Sequence, residues 1–542
     1  MTLWDTLVPA TPHVAARHRA EGWWRDTTFL DDLARNAAGR GDHPAVIASA
    51  GALKTLSYRE LAAKVERFGA ALRQLGVERG DVVVAYLPNI WQLTALYLAC
   101  HRIGAVSSPV IPALGARELA HVLTASRAKV CVTIDAFGGI DYAGRLAQVA
   151  PPSLAHQVVL GNSGYAVDFA EFFERTPWEE RAPVPVSDRL GPDEPAQLLF
   201  TSGTTGTMKA VAHSQNTIYA ALEAVAGPYR LTAADVITIP SFLTHMAAMC
   251  YAAYLPLTLG ATSVLQDRNA DPDLLLDLMA AHRVTWAYCS PAHLVNLLAT
   301  QRKQPRDLAG LQRIVSGSAP IQPQLVAEVR EVLDVPLHAL WGMTENGAVT
   351  VTRPDDPEGW AAHSDGRSMP SMQVRIDERS GHLLVRGASQ CLGYLGQPDV
   401  YAACVDDEGW FDTGDLARDD GRGGIRITGR RADLITRASG QKVSTLEVES
   451  VLLRHPAVIE AVLVGYPDPA VPGTDLVCAV VVPDGTPIGL PQLHAHLAAE
   501  GMAQVLWPDR VQFMAALPKN SLGKVLRAPL RERLELAGAG RP

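Results

Sequence analysis

Leu198-Leu199-Phe200-Thr201-Ser202-Gly203-Thr204-Thr205-Gly206-Thr207-Met208-Lys209 is an apolar run that passes into a hydroxyl- and glycine-rich loop and closes on a lysine. The first residues have the character of a buried strand. The two glycines allow a tight backbone whose N–H groups can converge on an anion. The hydroxyls add donors, and Lys209 supplies a point charge suited to phosphate. The GxxxxGK[ST] spacing of a Walker loop is absent, and on composition alone a solvated surface loop is as good a reading as a phosphate cradle.

Outward from this loop the grammar is helix then strand, repeated. Tyr58 to Leu75 places Leu61, Val65, Phe68, Leu72 and Leu75 on one helical face, and Gly76 ends it. Val82 to Leu87 is a continuous apolar strand. A helix from Asn89 to Ile103, a strand at 105–110, a helix from Glu118 to Ser126 and a strand at 129–134 follow. Such alternation predicts parallel, helix-covered sheets. Beyond about residue 370 the strands shorten (373–377, 382–386, 424–428) and turns crowd in. The last part carries helices at 445–454 and 490–500 and strands at 460–466 and 475–482. The expected fold is α/β: a large multi-subdomain body with parallel sheets, plus a small, mobile α+β C-terminal domain. The division expected is 1–429 and 430–542.

Composition narrows the function classes. The 542 residues imply about three or four structural units. With 48% hydrophobic and 19% charged residues, the chain can fill several cores, which excludes a disordered protein. A net charge of -9 without a basic block longer than Arg430-Arg431 argues against a nucleic-acid partner. The seven cysteines are scattered and include no CxxC, which predicts free thiols and a reducing, cytoplasmic setting. Residues 1–21 lack the apolar stretch of a secretory signal. Phe242 to Leu265 is long and nearly uncharged, but His245, Pro256 and Gly260 favour a buried helix followed by a buried strand over a membrane span.

Four further segments occur in order: Trp341-Gly342-Met343-Thr344-Glu345, Phe411-Asp412-Thr413-Gly414-Asp415, Gly429 to Glu449, and Pro518-Lys519-Asn520-Ser521-Leu522-Gly523-Lys524. Together with the 201–209 loop they resemble the motifs of the adenylate-forming superfamily, which includes acyl-CoA synthetases, aryl-CoA ligases, luciferases and adenylation domains. The resemblance spans about residues 40 to 530 and implies a two-step reaction. A carboxylic acid attacks ATP to give acyl-adenylate and pyrophosphate, and the acyl group then passes to the thiol of CoA. Small-molecule acid, ATP, Mg²⁺ and CoA are the implied ligands, in a monomer or homodimer.

The resemblance also implies the site. Thr201, Ser202, Gly203, Thr204, Thr205, Gly206 and Lys209 would hold phosphates. Gly317, Ser318, Ala319 and Pro320 would enclose the adenine with Trp341, continuing through Gly342 and Met343. Thr344 would meet the α-phosphate, and Glu345, with Thr201, would serve the metal, a hard cation suited to oxygen ligands. Asp415 would accept the ribose hydroxyls and Arg430 would reach the nucleotide. Lys524 would bridge the carboxylate and α-phosphate, offsetting the repulsion between two anions. His245, Met246, Met249, Ser290, Gly317, Gly342 and Gly347 would line the acid pocket, with His245 gating the carboxylate. Ser439 and Gly440 would line the pantetheine tunnel.

Two departures stand out. The loop has Met208-Lys209-Ala210 where the family commonly has Pro-Lys-Gly. The hinge position, commonly Asp or Lys, is Ala432, so a protein that adenylates well and thioesterifies poorly, passing the acyl group through a partner, is one expectation. The segment 241–245 has no Asp to bind an α-amine, and 246–253 is rich in small and flexible side chains. Both favour a hydrophobic acid, aryl, alicyclic or polycyclic. The rival readings are a ligase loading an acyl-carrier protein, a luciferase-like oxygenase, and a non-catalytic nucleotide-binding protein. The joint presence of Lys209, Glu345, Asp415, Arg430 and Lys524 opposes the last.

Overall fold

The computed structural model describes residues 3–49, 53–162, 164, 167–201, 208–267, 271–471, 473–519 and 525–539. The chain divides into two compact units, Met1–Val374 with Val385–Phe411, and Arg375–Leu384 with Asp412–Pro542. The second unit takes in the strand Phe411–Asp419 from Asp412 onward and the strand Gly424–Arg430.

Local rules explain the first unit's elements. The helix Tyr58–Gln74 begins where the Ser57 hydroxyl accepts from the Glu60 N–H (3.3 Å) while the Glu60 carboxylate accepts from the Ser57 N–H (2.8 Å). It gives way to Gly76 at φ +73°, a conformation that suits glycine. The strand Val82–Tyr86 is buried along its whole length, as a strand covered on both faces must be. The helix Trp91–Arg102 is buried at every position.

These strands form a sheet in the spatial order Gly393–Tyr394, Lys209–Ser214, Pro195–Thr201, Val106–Pro109, Val82–Tyr86, Val130–Ile134, His156–Leu160, Val167–Asp168. From Pro195–Thr201 onward the neighbours run parallel. At the other edge Lys209–Ser214 pairs antiparallel with both of its neighbours. The core on this sheet includes Val84, Tyr86, Val122, Leu123 and Leu198. A second sheet of the same unit runs parallel through Pro44–Ala48, Thr262–Leu265, Val236–Thr238, Trp286–Cys289, Arg313–Ser316 and Leu337–Met343. Helices carrying Leu276, Leu294, Leu297 and Val329 pack against it. The α/β class expected from the sequence is the class observed.

The segment 242–265 is a helical stretch, Met246–Ala248, Met249–Tyr254 in wider π turns and Leu255–Leu259, then the strand Thr262–Leu265. No helix among the described residues is long and apolar enough to cross a membrane. None of the seven cysteines is in a disulfide; six are buried and Cys404 is half-buried.

In the second unit Val458–Pro467 and Asp475–Pro483 pair antiparallel, and Arg510–Phe513 joins in parallel. Alternate residues of these strands face two apolar clusters, one around Leu463, Val477 and Leu493, the other around Val464, Val480 and Leu530. That is the α+β module the sequence predicted.

Candidate functional site

The Pro195–Thr201 and Lys209–Ser214 strands form a hairpin in which Thr201 sits opposite Lys209. The hairpin therefore brings Thr201 and Lys209, which flank the Ser/Thr/Gly segment, to one point. Ser202, Gly203, Thr204, Thr205 and Gly206 lie outside the described residues. The Lys209 ammonium lies 3.5 Å from the Tyr394 hydroxyl and 4.7 Å from the centre of its ring, a cation–π arrangement. Tyr394 itself pairs with Val211 of the lysine strand, so backbone pairing fixes its place beside Lys209. Its hydroxyl donates to Glu345 Oε1 at 2.9 Å. Burial, and then the Glu345 carboxylate, push the phenol far above its usual pKa, so it remains a donor. Glu345 is 8% exposed. Its carbonyl accepts from the Cys391 N–H at 2.7 Å, tying this loop to the Tyr394 segment.

Thr344 is held from beneath. His213, fully buried on the lysine strand, has Nε2 2.7 Å from the Thr344 carbonyl and Nδ1 3.0 Å from the Thr217 hydroxyl. A carbonyl needs a donor, so Nε2 carries the proton and Nδ1 accepts, assigned from the partners. Burial pushes the imidazole pKa down to about 4, which keeps it neutral.

Leu337–Met343 pairs with Gly347–Val351, Gly342 opposite Ala348 and Met343 opposite Gly347, with a bulge between Trp341 and Gly342. A Cβ on Gly342 would lie 2.1 Å from the Gly347 carbonyl oxygen, and one on Gly347, at φ +60°, would lie 2.7 Å from Ala221 Cβ and 3.7 Å from Met246 Cε. A Cβ on Gly317 would lie 2.3 Å from the Leu340 oxygen and 2.7 Å from the Tyr288 hydroxyl. These contacts bring Gly317, Gly342, Gly347 and Met246 into one neighbourhood. Ser318 adopts φ +71°, uncommon for a side-chain residue, and its hydroxyl is 3.2 Å from that of Tyr288. Tyr288, Tyr251 and Trp286 form an aromatic wall, with both neighbouring ring pairs 5.9 Å apart. Ser318, Ala319 and Pro320 are exposed, while Trp341, Met343 and Thr344 are half-buried.

His245 is half-buried, and burial holds its imidazole below the usual pKa. The turn before it is clamped: Asn89 donates to the Ser241 carbonyl and accepts from the Leu243 N–H, both at 2.7 Å, and the Tyr97 hydroxyl donates to the Leu243 carbonyl at 3.1 Å. Met249 is fully buried on the same helical stretch. Ser290 is committed to capping the helix Pro291–Lys303, accepting from the His293 N–H at 3.3 Å with its hydroxyl 2.9 Å from His293 Nδ1.

In the second unit, Asp415 and Arg430 are directly opposite in the hairpin of Phe411–Asp419 and Gly424–Arg430, and Arg430 Nε lies 2.9 Å from Asp415 Oδ1. Asp415 is 6% exposed, whereas Arg430 is exposed. Arg431 pairs with Asp412 at 2.7 Å. Ala432 is exposed in the short turn Arg431–Asp433 that follows. Ser439 and Gly440 form an exposed turn, Gly440 at φ +79° with its N–H donating to the Arg437 carbonyl at 2.8 Å. Lys524 lies outside the described residues. On either side of its segment, Lys519 and Val525 form an antiparallel bridge, and the Leu526 N–H donates to the Pro518 carbonyl at 2.8 Å.

Among the described residues no group of three or more His, Cys, Asp or Glu is placed to hold a metal ion. One buried carboxylate with a fixed orientation fits Mg²⁺ all the same, because that ion commonly takes one or two carboxylates and completes its shell with water and substrate phosphates.

The model of the AMP-binding enzyme family matches residues 33–395, and that of the AMP-binding enzyme C-terminal domain matches residues 447–524. The salicyl-AMP ligase / salicyl-S-ArCP synthetase of Mycobacterium tuberculosis is 32% identical over 98% of this chain and 95% of the relative. The 2-hydroxy-7-methoxy-5-methyl-1-naphthoate–CoA ligase of Streptomyces carzinostaticus is 30% identical over 99% of this chain and 97% of the relative. In fold, the chain is similar to an anthranilate CoA ligase solved with anthranoyl-AMP, at a TM-score of 0.83, 24% identity, and coverage of 95% of this chain and 98% of the other. The chain belongs to the AMP-binding enzyme family, the adenylate-forming superfamily that its motifs resemble. It is an AMP-forming ligase.

Proposed function

We propose that the protein activates a hydrophobic aromatic, alicyclic or polycyclic carboxylic acid with ATP and transfers the acyl group to CoA. The observation that carries the nucleotide chemistry is the Lys209–Tyr394–Glu345 cluster at the mouth of the loop hairpin. A phosphate-directed cation and a buried carboxylate both meet Tyr394 there, Lys209 held by strand pairing and Glu345 by the bond from the Cys391 N–H to its carbonyl. Thr201 to Lys209 hold the β- and γ-phosphates, Thr344 contacts the α-phosphate, and Gly317 to Pro320 with Trp341 enclose the adenine. Glu345, with Thr201 nearby in sequence to the loop, would ligand Mg²⁺, which neutralises phosphate charge when bound. Asp415 accepts from the ribose hydroxyls, Arg430 reaches the nucleotide, and Lys524 joins the acid carboxylate to the α-phosphate. The first step depends on positioning and charge neutralisation, as phosphoryl chemistry generally does.

The aromatic wall of Tyr251, Trp286 and Tyr288, and the crowding at Gly317, Gly342 and Gly347, support a flat apolar acid. Ser439 and Gly440 serve the pantetheine thiol after the C-terminal unit turns about Ala432. A carrier protein as acceptor is favoured by one finding, that the mycobacterial relative is named for loading a carrier. An acid panel in ATP–pyrophosphate exchange identifies the substrate, and a paired assay with CoA and with a phosphopantetheinylated aryl-carrier protein assigns the acceptor. Acyl transfer to the carrier alone would overturn the CoA reading.

A further inference from the structure

We propose that Tyr394 is a positioning residue that fixes the Glu345 carboxylate for Mg–ATP and holds Lys209 in place beside it. The proposal rests on the reading of Glu345 as the metal carboxylate. A glutamate side chain has three rotatable bonds, so burial alone does not orient its oxygens. Here one oxygen, Oε1, receives the Tyr394 hydroxyl at 2.9 Å, leaving Oε2 to face a cation. The same phenol meets the Lys209 ammonium by hydroxyl and ring face. One side chain therefore touches both the lysine of the phosphate loop and the candidate metal ligand. Its own freedom is small. The Leu392 N–H donates to the Ala212 carbonyl and the Leu395 N–H to the Ala210 carbonyl, each at 2.8 Å, which zips the tyrosine segment to the lysine strand. Tyr401, packed edge-on at 5.4 Å, closes the far side. A phenol placed only to fill space would have no call for a buried carboxylate as its acceptor, and the pairing is worth more than a neutral hydrogen bond.

The test compares the full-length wild type, Tyr394→Phe, Glu345→Gln and the double variant by calorimetric binding of ATP, once with Mg²⁺ and once with EDTA. Phenylalanine keeps the ring, so packing and the ring–lysine contact persist while the hydroxyl goes. The expected result is Mg–ATP affinity about tenfold weaker in Tyr394→Phe, the lower range for losing a bond to an ionised group, with metal-free ATP affinity unchanged. Adding Tyr394→Phe to Glu345→Gln should weaken Mg–ATP no further. Unchanged Mg–ATP binding in Tyr394→Phe, equal weakening with and without Mg²⁺, or additive effects in the double variant would overturn the role of Tyr394. Glu345→Gln binding Mg–ATP as the wild type does would overturn the metal reading of Glu345 and this inference with it.

Discussion

Replacing His213 with leucine probes the support under Thr344. The wild-type ring donates from Nε2 to the Thr344 carbonyl at 2.7 Å and accepts at Nδ1 from Thr217. Leucine fills much of the space and removes both interactions. Thr217 keeps a partner, since its hydroxyl also lies 3.0 Å from the Ser214 carbonyl. The Thr344 carbonyl loses its donor, a loss of about 1–3 kcal/mol. A net destabilisation of about 2 kcal/mol at pH 8 is the expectation. Acid changes this figure. The folded pKa of about 4 lies below the ordinary 6.5, so the neutral ring stabilises the fold above pH 6.5, and that contribution is lost as the pH falls toward 4. The full window is worth roughly 3 kcal/mol, and the part between pH 6.5 and pH 5 roughly 2 kcal/mol. Leucine has no such dependence. Denaturant unfolding of the two proteins should therefore show a gap of about 2 kcal/mol at pH 8 that nearly closes by pH 5. His101 and His338, also depressed to about 4, are common to both proteins and cancel in the difference. At pH 8 the displaced Thr344 should also slow ATP–pyrophosphate exchange about tenfold, as a barrier change of about 1.4 kcal/mol does. A gap that stays constant or widens on acidification would refute the reasoning.

Two further outcomes are expected. Lys524→Ala should abolish adenylate formation yet leave thioester formation from preformed acyl-adenylate largely intact, measured in separate half-reactions; equal loss in both would remove the assigned role. Gly317→Ala should destabilise the protein by about 1–3 kcal/mol in denaturant unfolding, because the new Cβ meets a backbone oxygen at 2.3 Å rather than a side chain that can move; wild-type stability would show that the strand yields at no cost.

Much of the fold was legible because single signals were strong. The predicted helix at 58–75 is observed at Tyr58–Gln74, since an amphipathic period closed by a glycine leaves little choice, and the strand at 82–87 is observed at Val82–Tyr86, since its apolar run is continuous. In the C-terminal part, predicted helices at 445–454 and 490–500 are observed at Thr445–Leu452 and Leu490–Ala499. The π turns of Met249–Tyr254 were not legible, because their hydrogen-bond spacing leaves no mark on an apolar run. Of the site, the motif residues could be named from the resemblance, but their supports could not. His213, Tyr394, Asn89 and Tyr97 are isolated polar or aromatic residues in apolar surroundings. In sequence they differ in no way from core packing, and only pairing across the sheet and between loops gives each its partner. The available signal was weak: a histidine within the strand Ala210-Val211-Ala212-His213, and a tyrosine flanked by glycine and leucine at 393–395.

The central claim is that a carboxylic acid is activated as its adenylate and then passed to a thiol. The most direct measurement follows ³²P-pyrophosphate exchange into ATP across a panel of aromatic, alicyclic and polycyclic acids, then adds CoA and quantifies AMP and acyl-CoA together. Acid-dependent exchange is expected, with AMP and acyl-CoA released in equal amounts once CoA is present. Exchange followed by AMP without acyl-CoA would contradict the thioester step and point to Ala432 as a hinge that does not complete it. ATP cleaved to ADP, or no exchange with any acid, would show that the protein does not form an acyl-adenylate.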